Sequence, residues 1–521
     1  MAQRPIRFIN YLAYGAGDVM GAGATAVMSI WSVYFYTTFC GLTPIEATGI
    51  FGIARLLDAI WSPLVGHLSD NLADTWIGRK FGRRRFFLLI ALPLLPCFAA
   101  IWVSGQSYLY YLSTFVFFEL LYASVLIPYE TLAAEMTPDY KKKATFAGAR
   151  ILTAQTSAIV AAILPAVIAS VMSQSGGSSE PARTFYFLGM QWASVLSAET
   201  FMIMGAIYAG LLVAAILFTY LFTWERSPSE LAKQPQAPRS MLGVFVKLYT
   251  DLLSTLRIRA FRLHLGIYLG GYISQDIYNV AFTYFIVFAI AGTGGAASSL
   301  TAMMFFAQLI SVACFIPLIV RIHPGGAYRV ASSVYAVAIL TMLVLAFFLP
   351  GQALAWMLIP VLIAGLGRGG LNYIPWNTYN YMADVDEIVT GRRREGVFAG
   401  VMTFIRKTAQ AGAVALAGVL LEAGGFLSGS KQQSSQAVST IIWLLAAGPL
   451  VVLALGFLVS LRFKLSAATH DMLMSEIARF KAGQPTPASA ETKAVVEDLT
   501  GWPYEELWGK NNVGYRPRAA T

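Results

Sequence analysis

Arg55 and Asp58 lie three residues apart inside an apolar run long enough to cross a lipid bilayer. The run continues through Ser62 and Pro63 and leaves its apolar stretch near Asp70. It passes at once into a loop carrying Arg79, Lys80 and Arg83 to Arg85. An ionised side chain at the bilayer centre costs about 3 kcal/mol or more, and is kept where it faces a cavity or a partner. Lys and Arg collect in cytosolic loops. The stretch Phe51 to Phe86 therefore predicts a spanning helix, a charge inside it, and the side on which the cytosol lies.

Charged residues make up 12% of the 521, about half the roughly 25% usual for a soluble chain. A membrane-crossing helix needs about 20 apolar residues. Twelve windows meet that length: 13–39, 45–71, 86–104, 107–136, 148–173, 199–223, 261–291, 296–321, 326–349, 352–383, 397–424 and 437–462. The net charge of +10 sits in loops flanking these windows, so it reads as a topology signal and not as a nucleic-acid surface. Cys40, Cys97 and Cys314 are isolated in apolar contexts, which predicts neither a disulfide framework nor a metal site. No cofactor fingerprint is present. The first apolar run lacks a cleavage pattern and is expected to stay in the membrane.

The polar stretch 225–256 divides the chain into an N-terminal half, 1–224, and a C-terminal half, 257–463, followed by a tail, 464–521. Basic clusters fall in alternate loops: Arg83 to Arg85, Lys141 to Lys143, Arg257 and Arg259, Arg321 and Arg329, and Arg392 to Arg394. In the opposite loops Arg183 and Lys431 are the clear cations. This predicts both termini in the cytosol. Segment 174–198 reads as an external loop with Trp192 at headgroup depth. Six plus six spans around a central polar loop is the layout of the major facilitator fold, an all-α membrane architecture of two parallel six-helix halves. Ile127-Pro128-Tyr129 in span four and Ile374-Pro375-Trp376 in span ten repeat one proline-aromatic step at equivalent places.

Helical periodicity groups the polar residues within the spans. Glu119 and Glu130 are three turns apart and share a face, as do Asp58 and Ser62. Asn372, Trp376 and Asn380 follow at one-turn intervals, a face suited to hydrogen-bonding and stacking on a polyhydroxylated ring; alternatively the amides tie helices together. Arg55 and Asp58 could neutralise each other at i, i+3. Arg406 and Lys407 lie deep in span eleven with no acid within a turn, so an acid from another helix, such as Asp58, is their expected counter-ion.

These residues resemble the glycoside–pentoside–hexuronide:cation symporters, the group that contains the melibiose permease. The resemblance rests on YGAGD at Tyr14–Asp18, ARLLDAIWSP at Ala54–Pro63 with the basic loop after it, and IPYETL at Ile127–Leu132. It rests further on Arg150, YIPW at Tyr373–Trp376, MADVDE with TGRRR at Met382–Arg394, and Lys407. It implies that Asp58 belongs to a cation site, that Lys407 lies beside it, and that Arg150 contacts sugar. The chain departs from the melibiose pattern where Ser62, Leu126 and Ala22 stand in place of carboxylates and Glu130 in place of a tryptophan. Sodium prefers several oxygen ligands, so the lost carboxylates favour the proton as coupling ion.

The expected protein is a monomeric secondary transporter of a bacterial inner membrane, moving a glycoside, and specifically a uronide or oligouronide, by alternating access. Asp18, Glu130, Arg150, Arg368, Asn372 and Trp376 are its expected substrate residues. Asp58, Ser62 and Lys407 are expected to couple the cation, and Asp70, Arg79 and Arg83 to gate the cytosolic side. The rivals are a carrier of another amphiphilic solute such as a lysolipid, a transporter-like sensor with the tail as output, and a membrane enzyme. His67, His264, His323 and His470 are scattered and no hydrolase motif occurs, which counts against the enzyme.

Overall fold

The computed structural model describes residues 5–72, 75–137, 139–174, 185–187, 190–192, 195–225, 241–349, 351–379, 381–392, 394–484 and 486–513. The N-terminal half comprises α1 (Phe8–Phe39), α2 (Pro44–Asn71), α3 (Arg85–Ala91), α4 (Tyr108–Glu130), α5 (Tyr140–Gln174) and α6 (Ala198–Phe222). The C-terminal half begins with α7 (Arg259–Tyr284). A 55-residue helical stretch, Gly294–Phe348, is two helices, α8 (294–321) and α9 (324–348), meeting at non-helical Ile322 and His323. Then come α10 (Leu358–Tyr379), α11 (Glu395–Ala423) and α12 (Ser435–Leu461). Among the described residues, eight helical segments, counting Gly294–Phe348 as one, are long and apolar enough to cross a membrane. Helices α7 and α10 lie in two further expected spans; in the expected span 86–104, α3 stops at Ala91 and a separate turn of helix, Cys97–Ala100, follows Pro93 and Pro96.

Local chemistry sets where several helices start. At the ends remote from the chain termini, α2, α4, α6, α8 and α12 begin at Thr43, Ser107, Ser197, Thr293 and Ser434. Each of these hydroxyls accepts a backbone N–H of the first turn. Thr43 and Glu46 form a reciprocal capping box with Pro44 in the first turn. Some boundaries differ from the expected windows. Helix α5 starts at Tyr140, so Lys142 and Lys143 lie on its first turn instead of in a loop. Helix α4 stops at Glu130, and a separate turn of helix, Leu132–Met136, follows. Segment 174–198 holds a two-stranded antiparallel hairpin pairing Phe185 with Trp192. The Trp192 side chain lies outside the described residues.

The two halves meet along α2 with α11, α5 with α8, and α1 with α7. Their remote ends are closed. Tyr284 Oη lies 2.6 Å from Thr37 Oγ1 and 3.1 Å from the Val33 carbonyl, which accepts from it, while Ser298 Oγ donates to the Ala162 carbonyl at 2.5 Å. Ile45 N–H donates to Glu422 at 3.0 Å. Gly418 packs so closely on α2 that a Cβ there would fall 1.9 Å from Thr48 Oγ1 and 2.7 Å from the Pro44 carbonyl.

Two polar parts of the chain are folded. The central stretch contains a helix, Met241–Thr255, that touches both α2 and α11. The tail forms α13 (Ala467–Lys481), over the amphipathic stretch His470–Lys481, and a second helix, α14 (Ala490–Thr500). It docks on the terminus-side end of the C-terminal half. Trp508 and Gly509 N–H groups donate to Ile388 and Val389 carbonyls at 2.8 and 2.9 Å. His470 reaches Asp384 at 2.9 Å, Lys481 reaches Glu387 at 2.7 Å, and Arg259 reaches Asp498 at 2.5 Å. Phe480 stacks between Tyr504 and Trp508.

Candidate substrate and coupling site

Halfway along the bundle, four charged side chains from three helices form one cluster. Lys407 on α11 places Nζ 2.7 Å from Asp58 Oδ2 on α2 and donates to Ser62 Oγ at 2.9 Å. Ser62 in turn donates to Asp58 Oδ1 at 3.0 Å, along the i, i+4 face that the sequence predicts. Arg55 is 3.8 Å from Asp58 but 3.3 Å from Glu119 on α4. Local neutralisation of Arg55 by Asp58 is therefore not the main pairing: Arg55 turns toward Glu119, which leaves Asp58 to Lys407. Asp58 and Glu119 are both 0% exposed. Buried charges at this depth persist only when paired.

Toward the terminus-side end of the N-terminal half, Arg150 on α5 holds Glu130 at 2.6 Å and Asp18 at 3.3 Å, and lies over the Tyr129 ring. Asp18 directly precedes a π-helical turn, Val19–Ala24, inside α1. Such a turn re-aims side chains and is frequent at functional sites. Gly17 permits the arrangement: a Cβ there would fall 2.3 Å from Tyr129, whose hydroxyl donates to the Tyr14 carbonyl at 2.6 Å. Glu130 and Arg150 keep 40% and 29% of their side chains exposed, so this cluster, unlike the first, is open to an incoming solute. Glu119 and Glu130 share a face of α4 as predicted, yet serve separate clusters three turns apart.

The C-terminal half repeats the device. Tyr272 and Asp276 on α7 reproduce the spacing of Tyr14 and Asp18 on α1. Asp276 pairs at 2.7 Å with Arg406 on α11, the counterpart of Arg150, and Arg406 lies over the Tyr272 ring. Gln410 donates to Asp276 at 2.9 Å. Asp276 and Gln410 line a small cavity between the halves with Ser29, Val33, Phe51, Val280 and Val414. The Tyr-x-x-x-Asp spacing is the sequence signal that points to Asp276 as a site residue.

Arg368 on α10 is buried against α7 and α8. It donates to Asn279 at 3.0 Å and to Gln308 at 3.4 Å, and faces the Tyr278 and Phe305 rings. Gln308 Nε2 donates across the halves to Gln155 on α5 at 3.4 Å. Asn372 accepts from Gln275, and Trp376, 44% exposed, donates to Tyr272 at 2.9 Å. Asn380 lies outside the described residues.

Of the three expected gating residues, the Asp70 side chain lies outside the described residues and Arg79 is exposed. Arg83 and Arg84 pair with Glu135 at 2.7 and 2.9 Å. The Arg83, Arg84 and Arg85 N–H groups converge on Glu225, just after α6, at 2.6–3.0 Å. Burial pushes the Glu225 carboxyl above its ordinary range, while those amide protons and Arg83 pull it back. These named contacts join the N-terminal half to Glu225, the first residue of the central stretch, and none reaches the C-terminal half. Glu135 and Glu225 were not picked out from sequence, since neither sits in a motif.

The two helical halves and the charged clusters they enclose are those of a membrane transporter of the major facilitator superfamily. Residues 13–467 match the family model described as MFS/sugar transport protein, and the chain belongs to that family. It is similar to an uncharacterised symporter of Synechocystis (25% identity over 92% of this chain and 98% of the relative). Two Escherichia coli proteins are also similar: inner membrane symporter YicJ (26%; 90% and 95%) and a glucuronide carrier protein homolog (22%; 89% and 94%). Among solved structures, the nucleoside transporter NupG aligns with TM-score 0.57 at 13% identity, covering 88% of this chain and 100% of that one. A D-xylose-proton symporter aligns with TM-score 0.57 at 12% identity (86% and 97%). Both share the fold.

Proposed function

We propose that the protein is a cation-coupled symporter of a glycoside, with the proton as coupling ion and a uronide or short oligouronide as substrate. It works by alternating access in a bacterial inner membrane, as a monomer with both termini in the cytosol. The observation that carries the reading is the Asp58–Lys407 bridge between the halves. A carboxylate that takes up a cation releases Lys407 and loosens the seam, so cation binding and conformation are linked. With the remote ends closed, the structure is read as the inward-facing state, in which Arg150, Glu130 and Trp376 face the cytosol. The relatives, symporters and a glucuronide carrier homolog among them, point the same way.

Arg150 is already engaged by two carboxylates, so recognition of a substrate carboxylate falls to Arg368, which is held by neutral amide oxygens. The same observation favours a second reading, a neutral glycoside whose hydroxyls bridge Asp18, Glu130 and Arg150. Proteoliposome uptake of p-nitrophenyl β-D-glucuronide and galacturonide against the matching neutral glycosides, under imposed proton or sodium gradients, tests both. Preference for a neutral glycoside rejects the uronide; accumulation driven by sodium alone rejects the proton; no exchange of any solute rejects the carrier.

A further inference from the structure

The geometry points to Glu119 as the residue that sets how readily Asp58 takes up its coupling cation, by holding Arg55 away from it. This rests on the cation-coupled reading above but not on which cation is used.

Arg55 on α2 lies between two buried carboxylates and is nearer to Glu119, 3.3 Å against 3.8 Å. Its side chain is sealed in, with Phe51 against the guanidinium, so it cannot turn to water for compensation. Asp58 already has Lys407 at 2.7 Å. If both cations closed on Asp58, a third cation would find no free negative charge there. Glu119 prevents this by claiming Arg55. Glu119 has no such second cation at contact distance: its Oε1 is buried without a hydrogen-bond donor, and Arg55 NH1 holds its Oε2. The groups whose charge it feels are Arg55 and Asp58 from α2 and Lys407 from α11; Asp276 on α7 acts on Arg55 from the other half. Counted together, two acids meet two bases, so the Glu119–Arg55–Asp58–Lys407 group is neutral when empty. One bound cation gives it a single positive charge, relieved when Lys407 is drawn away. Glu119 touches neither the substrate cluster nor the open end of the bundle. Its role is positional, exerted through Arg55.

The test needs no transported solute. Purified wild type, Glu119→Gln, Glu119→Asp and the double variant Arg55→Gln/Glu119→Gln are placed in lipid nanodiscs. Each is titrated with protons and, separately at fixed pH, with sodium chloride against choline chloride. Tryptophan fluorescence is the readout, since Trp61 lies three residues from Asp58 and donates to Ser124 on α4. With Glu119 uncharged, Arg55 closes on Asp58 and competes with the bound ion. Glu119→Gln is therefore expected to need about tenfold more of the coupling ion, a proton midpoint lower by about one pH unit, the low end for a charge brought to contact. The double variant returns toward wild type because the competing cation leaves with its acid. A purely structural role for Glu119 predicts no such rescue. Should Glu119→Gln not fold, the shorter acid in Glu119→Asp loosens the Arg55 pair and shifts the midpoint less, in the same direction. A shift seen with sodium and not with protons upholds Glu119 and rejects the proton. Unshifted midpoints in the Glu119 variants, a double variant displaced as far as the single, or a wild type that responds to neither ion overturns the inference.

Discussion

Lys407 Nζ on α11 lies 2.7 Å from Asp58 Oδ2 on α2, so one ammonium group spans the seam between the halves. Removing one member of such a buried pair costs about 3–5 kcal/mol, because the other charge is left uncompensated. Asp58→Asn and Lys407→Gln are each expected to lower the melting temperature of the purified protein, and the double variant to recover part of the loss. Additive losses in that double-mutant cycle would mean the two groups do not interact. Asp58→Asn is also expected to abolish uphill accumulation.

Arg368→Gln tests carboxylate recognition. If Arg368 receives the uronate, the variant loses about 1.5–3 kcal/mol of uronide binding, the range for a charge-assisted hydrogen bond, and little toward the matching neutral glycoside. Isothermal titration with both ligands reads the difference. Equal losses would assign Arg368 to packing against Tyr278 and Phe305.

Glu225 draws together the N–H groups at the start of α3. Glu225→Ala strands these donors and is expected to destabilise the protein by about 1–3 kcal/mol. Arg83→Gln, by contrast, is expected to slow turnover while equilibrium binding stays near wild type, if the basic loop governs closure of the cytosolic side. Single-turnover uptake alongside equilibrium binding separates the two effects, and an unchanged rate removes Arg83 from any gating role.

Gly418 has no room for a side chain against Thr48 and Pro44. Gly418→Leu is expected to wedge the remote ends apart and shift the population away from this conformation. A reporter cysteine placed at Ser29, beside the cavity between the halves, should then label faster with a water-soluble maleimide. No change in labelling would show that the seam absorbs the leucine without opening.

Phe480 packs between Tyr504 and Trp508. Truncating a core phenylalanine costs about 3–5 kcal/mol, enough to undock a small unit. Phe480→Ala is expected to be cut in the 482–489 linker faster than wild type under limited proteolysis; equal rates would show that the tail stays docked without the ring.

The membrane-level plan was legible because its signals are one-dimensional. Apolar length marks the long helices, from Phe8–Phe39 to Ser435–Leu461. The expectation that Lys407 finds an acid on another helix followed from the cost of a bare charge in lipid, and Asp58 is that acid. Arg55 was harder: an i, i+3 aspartate looked sufficient, but Glu119, 64 residues away in sequence, lies closer in space. Glu225 shows the limit in another form. Its role is to collect N–H groups about 140 residues earlier, and backbone donors leave no trace in side-chain identity. The tail was legible in part: the amphipathic stretch His470–Lys481 is α13, whereas α14 and the stacking of Phe480 on Tyr504 and Trp508 join residues that no periodicity links.

The docking of α13 and α14 on one half alone has a mechanical consequence. Their named contacts, at Ile388, Val389, Asp384, Glu387 and Arg259, all belong to the C-terminal half. Any rocking about the seam therefore carries the tail with that half as one piece. The two halves share a topology, but the named contacts of the tail load only one of them. Helix Met241–Thr255 rests on both α2 and α11, so any such movement would pass across it.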